Sequence, residues 1–171
     1  MLSKEQIIDY LQQLGGKLAA QGLHGEILIT GGAVMCLVHE ARDATKDIDA
    51  LYEPKSIINE IAAQIAEEND LPNDWLNDSV KGFMSVHATA EDFMTFDGLH
   101  VQTVTAEYLL AMKLMSARYG ERDYEDIRFL MEKNGIRSIE QAFDILQHYF
   151  PTGQILPKTM YVIEELLLGS E

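Results

Sequence analysis

The spacing of apolar residues along the first part of the chain predicts a helix, a strand and a second, shorter helix. Ser3 and Gln6 form a capping-box pattern, and apolar residues recur at helical spacing over residues 4–21. Residues 26–30 are short, apolar and β-branched, which favours a buried strand. A double glycine and an apolar helical run follow that strand directly.

The middle of the chain continues with one longer helix and several short strands. Pro54 stands at the start of a second amphipathic helix. We expect Trp75, the only tryptophan, to be buried against the sheet from a short helix. Residues 83–88 and 93–96 are strand candidates, and a tight-turn signal leads into a further strand at 99–104. Together these strands predict a mixed sheet.

The rest of the chain has a helical pattern. Thr105 can cap one helix, Ser138 opens a second capping box, and residues 157–168 form a last apolar helix. The predicted fold class is therefore α/β, with a small mixed β-sheet flanked by helices and a helical C-terminal half. We expect an α/β core at residues 1–104 and a helical part at residues 105–171, packed together as a single compact unit.

Composition and charge narrow the choice of partners and environment. The 171 residues include 28 acidic and 13 basic side chains, a net charge of −15. This charge opposes non-specific attraction to nucleic acid or an anionic membrane, so an RNA acceptor would need a local basic patch, whereas a basic protein partner is easier to accommodate. The single Cys36 allows no internal disulfide, the N-terminus lacks a signal-peptide core, and no apolar run approaches the ~20 residues of a membrane helix. We expect a cytoplasmic protein without membrane contact.

Gly31 and Gly32 are the first candidate for chemistry. Neither glycine carries a Cβ, so backbone there can approach a ligand closely, and the N-terminus of the following helix would direct free N–H groups to the same place. This combination suits a phosphate. A plain turn between strand and helix would have the same sequence, so the glycine pair by itself leaves both interpretations open.

Asp47 and Asp49 are the second candidate. In a strand they project to the same side, while Ile48 faces the other. Two neighbouring carboxylates repel each other unless a cation lies between them, and hard oxygen ligands suit Mg²⁺ or Mn²⁺. Two solvated acids on an exposed strand face are the alternative. The glycine pair one helix upstream favours the metal site.

The order of these features resembles a known family. Gly-Gly, a helix and then Arg-x-x-Thr-x-Asp-Ile-Asp resemble the signature of the nucleotidyltransferase (polymerase β-like) fold. With Arg42 and Thr45 just before the carboxylates, the pattern is most similar to bacterial proteins related to the abortive-infection type IV toxins. Residues 74–77, Asp-Trp-Leu-Asn, also resemble a segment of uncharacterised members of that family. The resemblance implies an NTP substrate and, for the toxin branch, a protein antitoxin as partner.

A second block lies in the helical half. The string LLAMKLMSARYGERDYEDIRFL resembles the family's later block, with a lysine on a helix and a downstream Arg-Asp-x-x-Asp. The resemblance implies that Lys113 contacts nucleotide phosphate, that Asp126 supports the site and that Arg118 adds a nucleotide contact. A structural ion pair of Lys113 with Asp123 or Asp126 is the alternative, because a lysine in an apolar helix needs an anion.

One feature of the family is missing. A third carboxylate often comes from a later strand of this fold, but the strand at 99–104 carries none. Asp97 in the preceding turn is the nearest acid, and His100 could act as a base, although a lone histidine on a strand is more often structural. Either the third acid is dispensable here or the usual chemistry has been lost.

The function inferred from the sequence is metal-dependent transfer of a nucleotidyl group from an NTP to a hydroxyl acceptor on RNA or protein. A catalytically degenerate nucleotide-binding or protein-interaction module of the same fold is the alternative. The expected catalytic residues are Asp47, Asp49 and Lys113, with Mg²⁺ or Mn²⁺ on the two aspartates. The expected nucleotide contacts are Gly31, Gly32, Arg42, Thr45, Lys113, Arg118 and Asp126.

Overall fold

The computed structural model describes residues 1–117 and 121–169, apart from the side chains of residues 121 and 122. The chain divides into two compact units. The first consists of residues 1–82 and 90–104, and the second of residues 83–89 and 105–171. Sheet and helices occur together in the chain, so the predicted α/β class with a mixed sheet is confirmed. Residues 1–104 and 105–171 as domains stay a prediction.

The first unit contains all the strands of the described residues. In chain order it consists of β1 (Leu2–Ser3), α1 (Lys4–Ala20), β2 (Gly25–Ile29), α2 (Gly31–Leu37), β3 (Ala44–Thr45), β4 (Ile48–Glu53), α3 (Lys55–Asn69), β5 (Leu76–Asn77), β6 (Ala90–Phe96) and β7 (Leu99–Val104). The five-stranded sheet has the order β5-β4-β2-β7-β6, and β1 pairs with β3 in a separate small ladder. Strand β2 is antiparallel to β4 and parallel to β7, which makes the sheet mixed.

One face of this sheet is the core of the first unit. Ile27 and Ile29 of β2 are buried, whereas Glu26, the residue before Ile27, is exposed. A Cβ added at Gly25 would lie 2.8 Å from Leu18 Cδ1 and 3.3 Å from Ile58 Cδ1, so α1 and α3 cover this face. The short apolar run predicts this buried strand, and its burial alternates because successive side chains of a strand point to opposite faces.

The segment around Trp75 differs from the expected short helix. Trp75 lies in a turn immediately before β5, and its side chain is buried. Its Nε1–H donates to Ala62 O at 2.9 Å, and its ring meets Tyr10 edge to face at 5.6 Å between centroids. The predicted burial of Trp75 is confirmed, but Trp75 lies in a turn and not in a helix. Its buried indole N–H needs an acceptor, which is the carbonyl of Ala62 on α3.

The predicted strand at residues 83–88 is wrong. Residues 79–83 form a 3₁₀ turn, and residues 84–89 carry no strand. In this segment Ser85 N donates to Tyr108 Oη at 2.8 Å, and Val86 is 95% exposed. A side chain of the second unit thus accepts a hydrogen bond from a backbone N–H that would be paired with a neighbouring strand in a sheet. The strand expected at 93–96 is confirmed as part of β6, and that at 99–104 as β7.

The second unit is helical. Its helices are α4 (Ala106–Ser116), α5 (Glu121–Lys133), α6 (Ile139–Tyr149) and α7 (Pro157–Leu168). The predicted caps are confirmed, since Thr105 Oγ1 accepts from Tyr108 N and Ser138 Oγ accepts from Gln141 N. The capping box predicted at Ser138 is only half formed, because Gln141 Oε1 accepts from Arg137 N instead of Ser138 N. Helix α4 packs against α5, α6 and α7, which explains why it is apolar on most sides. Across the described parts of the chain, each helix is too short or too polar to cross a membrane.

Candidate functional site

The glycine pair lies where backbone must pass close to other groups. Helix α2 begins at Gly31 itself, whose φ of +65° is in the left-handed region that L side chains rarely adopt. A Cβ at Gly31 would lie 3.1 Å from Asp49 Oδ2, and a Cβ at Gly32 would lie 2.8 Å from Thr45 Oγ1. The glycines therefore bring bare backbone beside the predicted carboxylate and threonine.

The two carboxylates lie at the start of β4. Asp49 is within the strand and Asp47 directly precedes it. Thr30 N donates to Asp49 O at 2.8 Å, which fixes this end of β4 beside the end of β2. Both aspartates are half-buried, whereas Ile48 between them is fully buried. The two acids therefore lie on the accessible side of the sheet end, and the glycine pair lies beside Asp49.

The electrostatics of the pair disfavour two free negative charges. Partial burial raises the pKa of Asp47, and the charges of Asp49 and Asp74 raise it further. Lys46 and a hydrogen bond from Asn77 act in the opposite direction. The folded chain thus holds Asp47 in a place where its charged form is disfavoured, and a bound cation would reverse that preference.

Arg42 and Thr45 also reach the glycine pair. Arg42 Nη1 lies 3.2 Å from the point where a Cβ of Gly32 would stand. Thr45 is fixed twice, because it pairs with Leu2 in the small ladder and its Oγ1 donates to Asp47 O at 3.3 Å. All six residues predicted in the first block, Gly31, Gly32, Arg42, Thr45, Asp47 and Asp49, therefore lie in one region of the first unit.

Two neutral side chains in this region were not predicted. Strand β5 runs parallel to β4, and its Asn77 lies level with Asp49. Asn77 Nδ2 approaches Asp47 Oδ2 at 3.5 Å, and Ser79 Oγ approaches Asp49 Oδ1 at 3.3 Å. The only signal in the sequence was the Asp-Trp-Leu-Asn segment. A two-residue strand has no periodicity from which its partner could be derived.

The donor set fits a magnesium-type ion. Across residues 1–117 and 121–169 there is no cluster of three or more histidine, cysteine, aspartate or glutamate side chains placed to hold a metal. Mg²⁺ does not need one, since it keeps several waters and is commonly held by one or two carboxylates together with substrate phosphates. Asp47 and Asp49 would supply the two hard oxygen ligands, and Gly31 brings bare backbone beside Asp49.

The third acid is not at Asp97. Asp49 lies at the Ile29 end of β2, and the register of β2 with β7 places Leu99 at the other end. Four residue steps of about 3.3 Å separate these levels, so Asp97 is at least ~13 Å away along the strands. His100 follows Leu99 directly, and its Nε2 lies 2.9 Å from Asp92 Oδ1. His100 is thus held by an acid of β6 at the far end of the sheet.

The second predicted block lies in the second unit. Lys113 Nζ of α4 lies 2.6 Å from Asp126 Oδ2 of α5, and the two side chains are only 12% and 3% exposed. This is the structural ion pair that the sequence left open. Contact of Lys113 with nucleotide phosphate stays a prediction, as does the supporting role of Asp126. Arg118 lies outside the described residues.

Comparison with known proteins gives one match. Residues 6–147, more than four fifths of the chain, match the model of a family described as "Nucleotidyltransferase of unknown function (DUF6036)". The match covers both the glycine pair with its carboxylates and the block that contains Lys113 and Asp126. The curated proteins and the solved structures give no match.

Proposed function

Because the chain belongs to the DUF6036 family of nucleotidyltransferases, we propose that it transfers a nucleotidyl group from an NTP to a hydroxyl acceptor. The observation that carries this proposal is the position of Asp49 beside the backbone of Gly31, with Asp47 at the start of the same strand. Like-charged carboxylates beside bare backbone suit a metal-bound phosphate better than they suit a folded core, where they oppose each other.

Five of the six residues of this region have a direct role in the proposal. Asp47 and Asp49 would hold Mg²⁺ or Mn²⁺, which neutralises charge on the α-phosphate and on the leaving pyrophosphate. The backbone N–H groups at Gly31 and Gly32 would bind the β- and γ-phosphates. The guanidinium of Arg42 is a further phosphate contact.

The reaction follows from this arrangement. The acceptor oxygen forms a bond to the α-phosphorus while the bond to the bridging oxygen breaks, pyrophosphate leaves and the hydroxyl proton passes to water. The chain orients the phosphates and offsets their charge, which is the main task of a protein in phosphoryl-type transfer. An RNA or a protein hydroxyl is the proposed acceptor, and an RNA would need a local basic surface because the net charge is −15.

Labelling with α-³²P NTPs tests the proposal. The full chain is incubated with each of the four NTPs, Mg²⁺ or Mn²⁺ and candidate RNA and protein acceptors, and pyrophosphate release is measured in parallel. We expect Asp47→Ala and Asp49→Ala each to reduce labelling by at least ~100-fold, since each removes a carboxylate ligand. Asp97→Ala, in the exposed turn at the far end of the sheet, is the matched control and should label normally. Unchanged labelling in both site variants would contradict the metal assignment.

A degenerate nucleotide-binding module is the second candidate. The absence of an acid from β7 favours it, because the general base of the family's chemistry has no evident counterpart there. This candidate predicts metal-dependent NTP binding that requires Asp47 and Asp49, without pyrophosphate release for any of the four NTPs. Equilibrium binding measured beside the labelling assay separates the two functions.

A toxin role is a narrower proposal. It rests on the resemblance to abortive-infection type IV toxins and on the strongly acidic composition, which suits a basic antitoxin protein. Growth arrest on expression that disappears in Asp49→Ala would support it. Arrest that persists in Asp49→Ala would count against a toxin that acts through this site.

A further inference from the structure

The short segment after Trp75 brings two neutral side chains to the carboxylate pair. Asn77 on β5 is level with Asp49 on β4 and reaches Asp47 with its amide, while Ser79 reaches Asp49 with its hydroxyl. These contacts measure 3.5 Å and 3.3 Å, at the long end of the hydrogen-bond range. Each carboxylate therefore has one neutral neighbour from the same segment.

Asn77 and Ser79 are connected to each other more tightly than to the carboxylates. Asn77 Oδ1 accepts from Ser79 N at 3.1 Å and from Ser79 Oγ at 2.6 Å. Asn77 Nδ2 also donates to Asp74 O at 3.3 Å. Because Ser79 holds Oδ1 from two donors, the amide nitrogen of Asn77 must face Asp47. The orientation of the amide is thus set by its neighbours.

The hydrogen atoms that reach the carboxylates are few. Ser79 Oγ has one hydrogen, which it can donate to Asn77 Oδ1 at 2.6 Å or to Asp49 Oδ1 at 3.3 Å, so the two acceptors share it and the longer bond is the weaker one. In the part of the chain that the structure describes, the side-chain hydrogen bonds to the carboxylate oxygens of Asp47 and Asp49 come from Asn77 and Ser79. The carboxylates are oriented but not neutralised, which leaves their lone pairs available to a cation.

We propose that Asn77 and Ser79 form a neutral clamp, a pair of positioning residues that orients Asp47 and Asp49 for their metal ion. The clamp acts from β5, on the side of β4 away from β2 and β7. An amide and a hydroxyl can fix the carboxylates without adding a third negative charge to a pair that already repels itself. This inference rests on the proposed function, since a clamp serves a metal only if Asp47 and Asp49 bind one.

Titration of the full chain with Mn²⁺ alone, followed by electron paramagnetic resonance of free Mn²⁺, tests the clamp without requiring activity. Residues that orient metal ligands typically contribute 10- to 100-fold in affinity, so we expect Ser79→Ala and Asn77→Ala to weaken Mn²⁺ binding by ~10-fold or more. Ser79→Thr retains the hydroxyl and should bind nearly as the unaltered chain does. Asn73→Ala, an exposed asparagine just before Trp75, is the matched control.

Ser79→Ala is the sharper of the two variants. It leaves the bond from Ser79 N to Asn77 Oδ1 in place, so the start of the 3₁₀ turn keeps its anchor. Thermal melting of each variant without metal identifies any loss of fold. Asn77→Ala then repeats the Mn²⁺ titration with the other residue of the clamp altered. A positioning role also predicts that excess Mn²⁺ restores the labelling rate of Ser79→Ala. A loss of rate that excess Mn²⁺ does not restore would contradict the clamp.

The outcomes separate the clamp from the proposed function. Unchanged Mn²⁺ affinity in Ser79→Ala and Asn77→Ala, together with lost affinity in Asp49→Asn, would overturn the clamp and retain the metal site. Unchanged affinity in Asp49→Asn, or no binding by the unaltered chain, would overturn the metal site and the proposed function with it.

Discussion

Two charged pairs of this protein have opposite arrangements. Asp47 and Asp49 in the first unit carry like charges and are half-buried, and within the described residues the hydrogen bonds to their carboxylates are long and come from neutral donors. Lys113 and Asp126 in the second unit carry opposite charges, are almost fully buried and lie 2.6 Å apart. The first pair places two acids beside each other, whereas the ammonium of the second pair has a carboxylate beside it.

This difference shows how to separate a binding site from a structural contact. The charges of a buried ion pair satisfy each other, so removing one partner leaves the other charge buried and unpaired and lowers the stability of the fold. Neighbouring like charges oppose each other, so their mutual interaction does not stabilise the fold. An aspartate therefore indicates a different role according to the charge of its nearest neighbour.

The largest effect is expected from breaking the second pair. Asp126→Ala leaves the ammonium of Lys113 buried without this carboxylate, which should lower the free energy of unfolding by about 3–5 kcal/mol. Urea denaturation followed by circular dichroism measures the loss. Glu68→Ala is the matched control, because it removes the exposed ion pair with Lys17 and should cost at most about 1 kcal/mol.

A double substitution sharpens this result. Replacing both charges, in Lys113→Met with Asp126→Leu, should recover most of the lost stability, since no unpaired charge remains in the core. If the double variant folds stably but loses NTP binding, Lys113 contacts nucleotide as the sequence predicts. Retained NTP binding in the stable double variant would instead leave Lys113 with a structural role.

The comparison also explains how much could be predicted from the sequence. Gly31, Gly32, Asp47 and Asp49 lie within one stretch of the chain, so their strand-turn-helix pattern was enough to bring them together. The helix caps at Thr105 and Ser138 were equally local, because a cap depends on residues three positions apart.

Contacts that depend on long-range pairing could not be predicted. Asn77 lies level with Asp49 only because β5 pairs with β4, and a two-residue strand leaves no pattern for that register. Residues 83–88 alternate like a strand, but Tyr108 satisfies their backbone at Ser85. The choice of Asp126 rather than Asp123 as the partner of Lys113 likewise depends on how α4 and α5 pack.

A smaller effect is expected at the glycine pair. Gly31→Ala forces a side chain into φ +65° and places its Cβ 3.1 Å from Asp49 Oδ2, so we expect a loss of roughly 1–2 kcal/mol of stability and a larger loss of metal affinity. Thermal melting with and without Mn²⁺ measures both losses. Gly16→Ala in α1 is the matched control, since a Cβ there meets nothing within 4 Å and the helix should gain about 0.5–1 kcal/mol. If Mn²⁺ stabilises Gly31→Ala as much as the unaltered chain, Gly31 does not contribute to metal binding.

The smallest effect is expected from relieving the like charges themselves. Because the pKa of Asp47 is raised in the folded chain, that carboxyl binds its proton more tightly when folded than when unfolded, and stability falls as pH rises from the ordinary value of 3.8 through the raised pKa. Asp47→Asn removes this cost, so it should stabilise the metal-free chain at pH 7, by less than about 1 kcal/mol at this half-exposed position. The gain should disappear below pH 3.8, where Asp47 is protonated in both states, and Mg²⁺ should stabilise only the unaltered chain. Melting curves across pH 3–8 with Asp97→Asn as control measure this difference. A destabilised Asp47→Asn at pH 7 would mean that the charge of Asp47 is already matched within the fold, and the contrast with Lys113 and Asp126 would then fail.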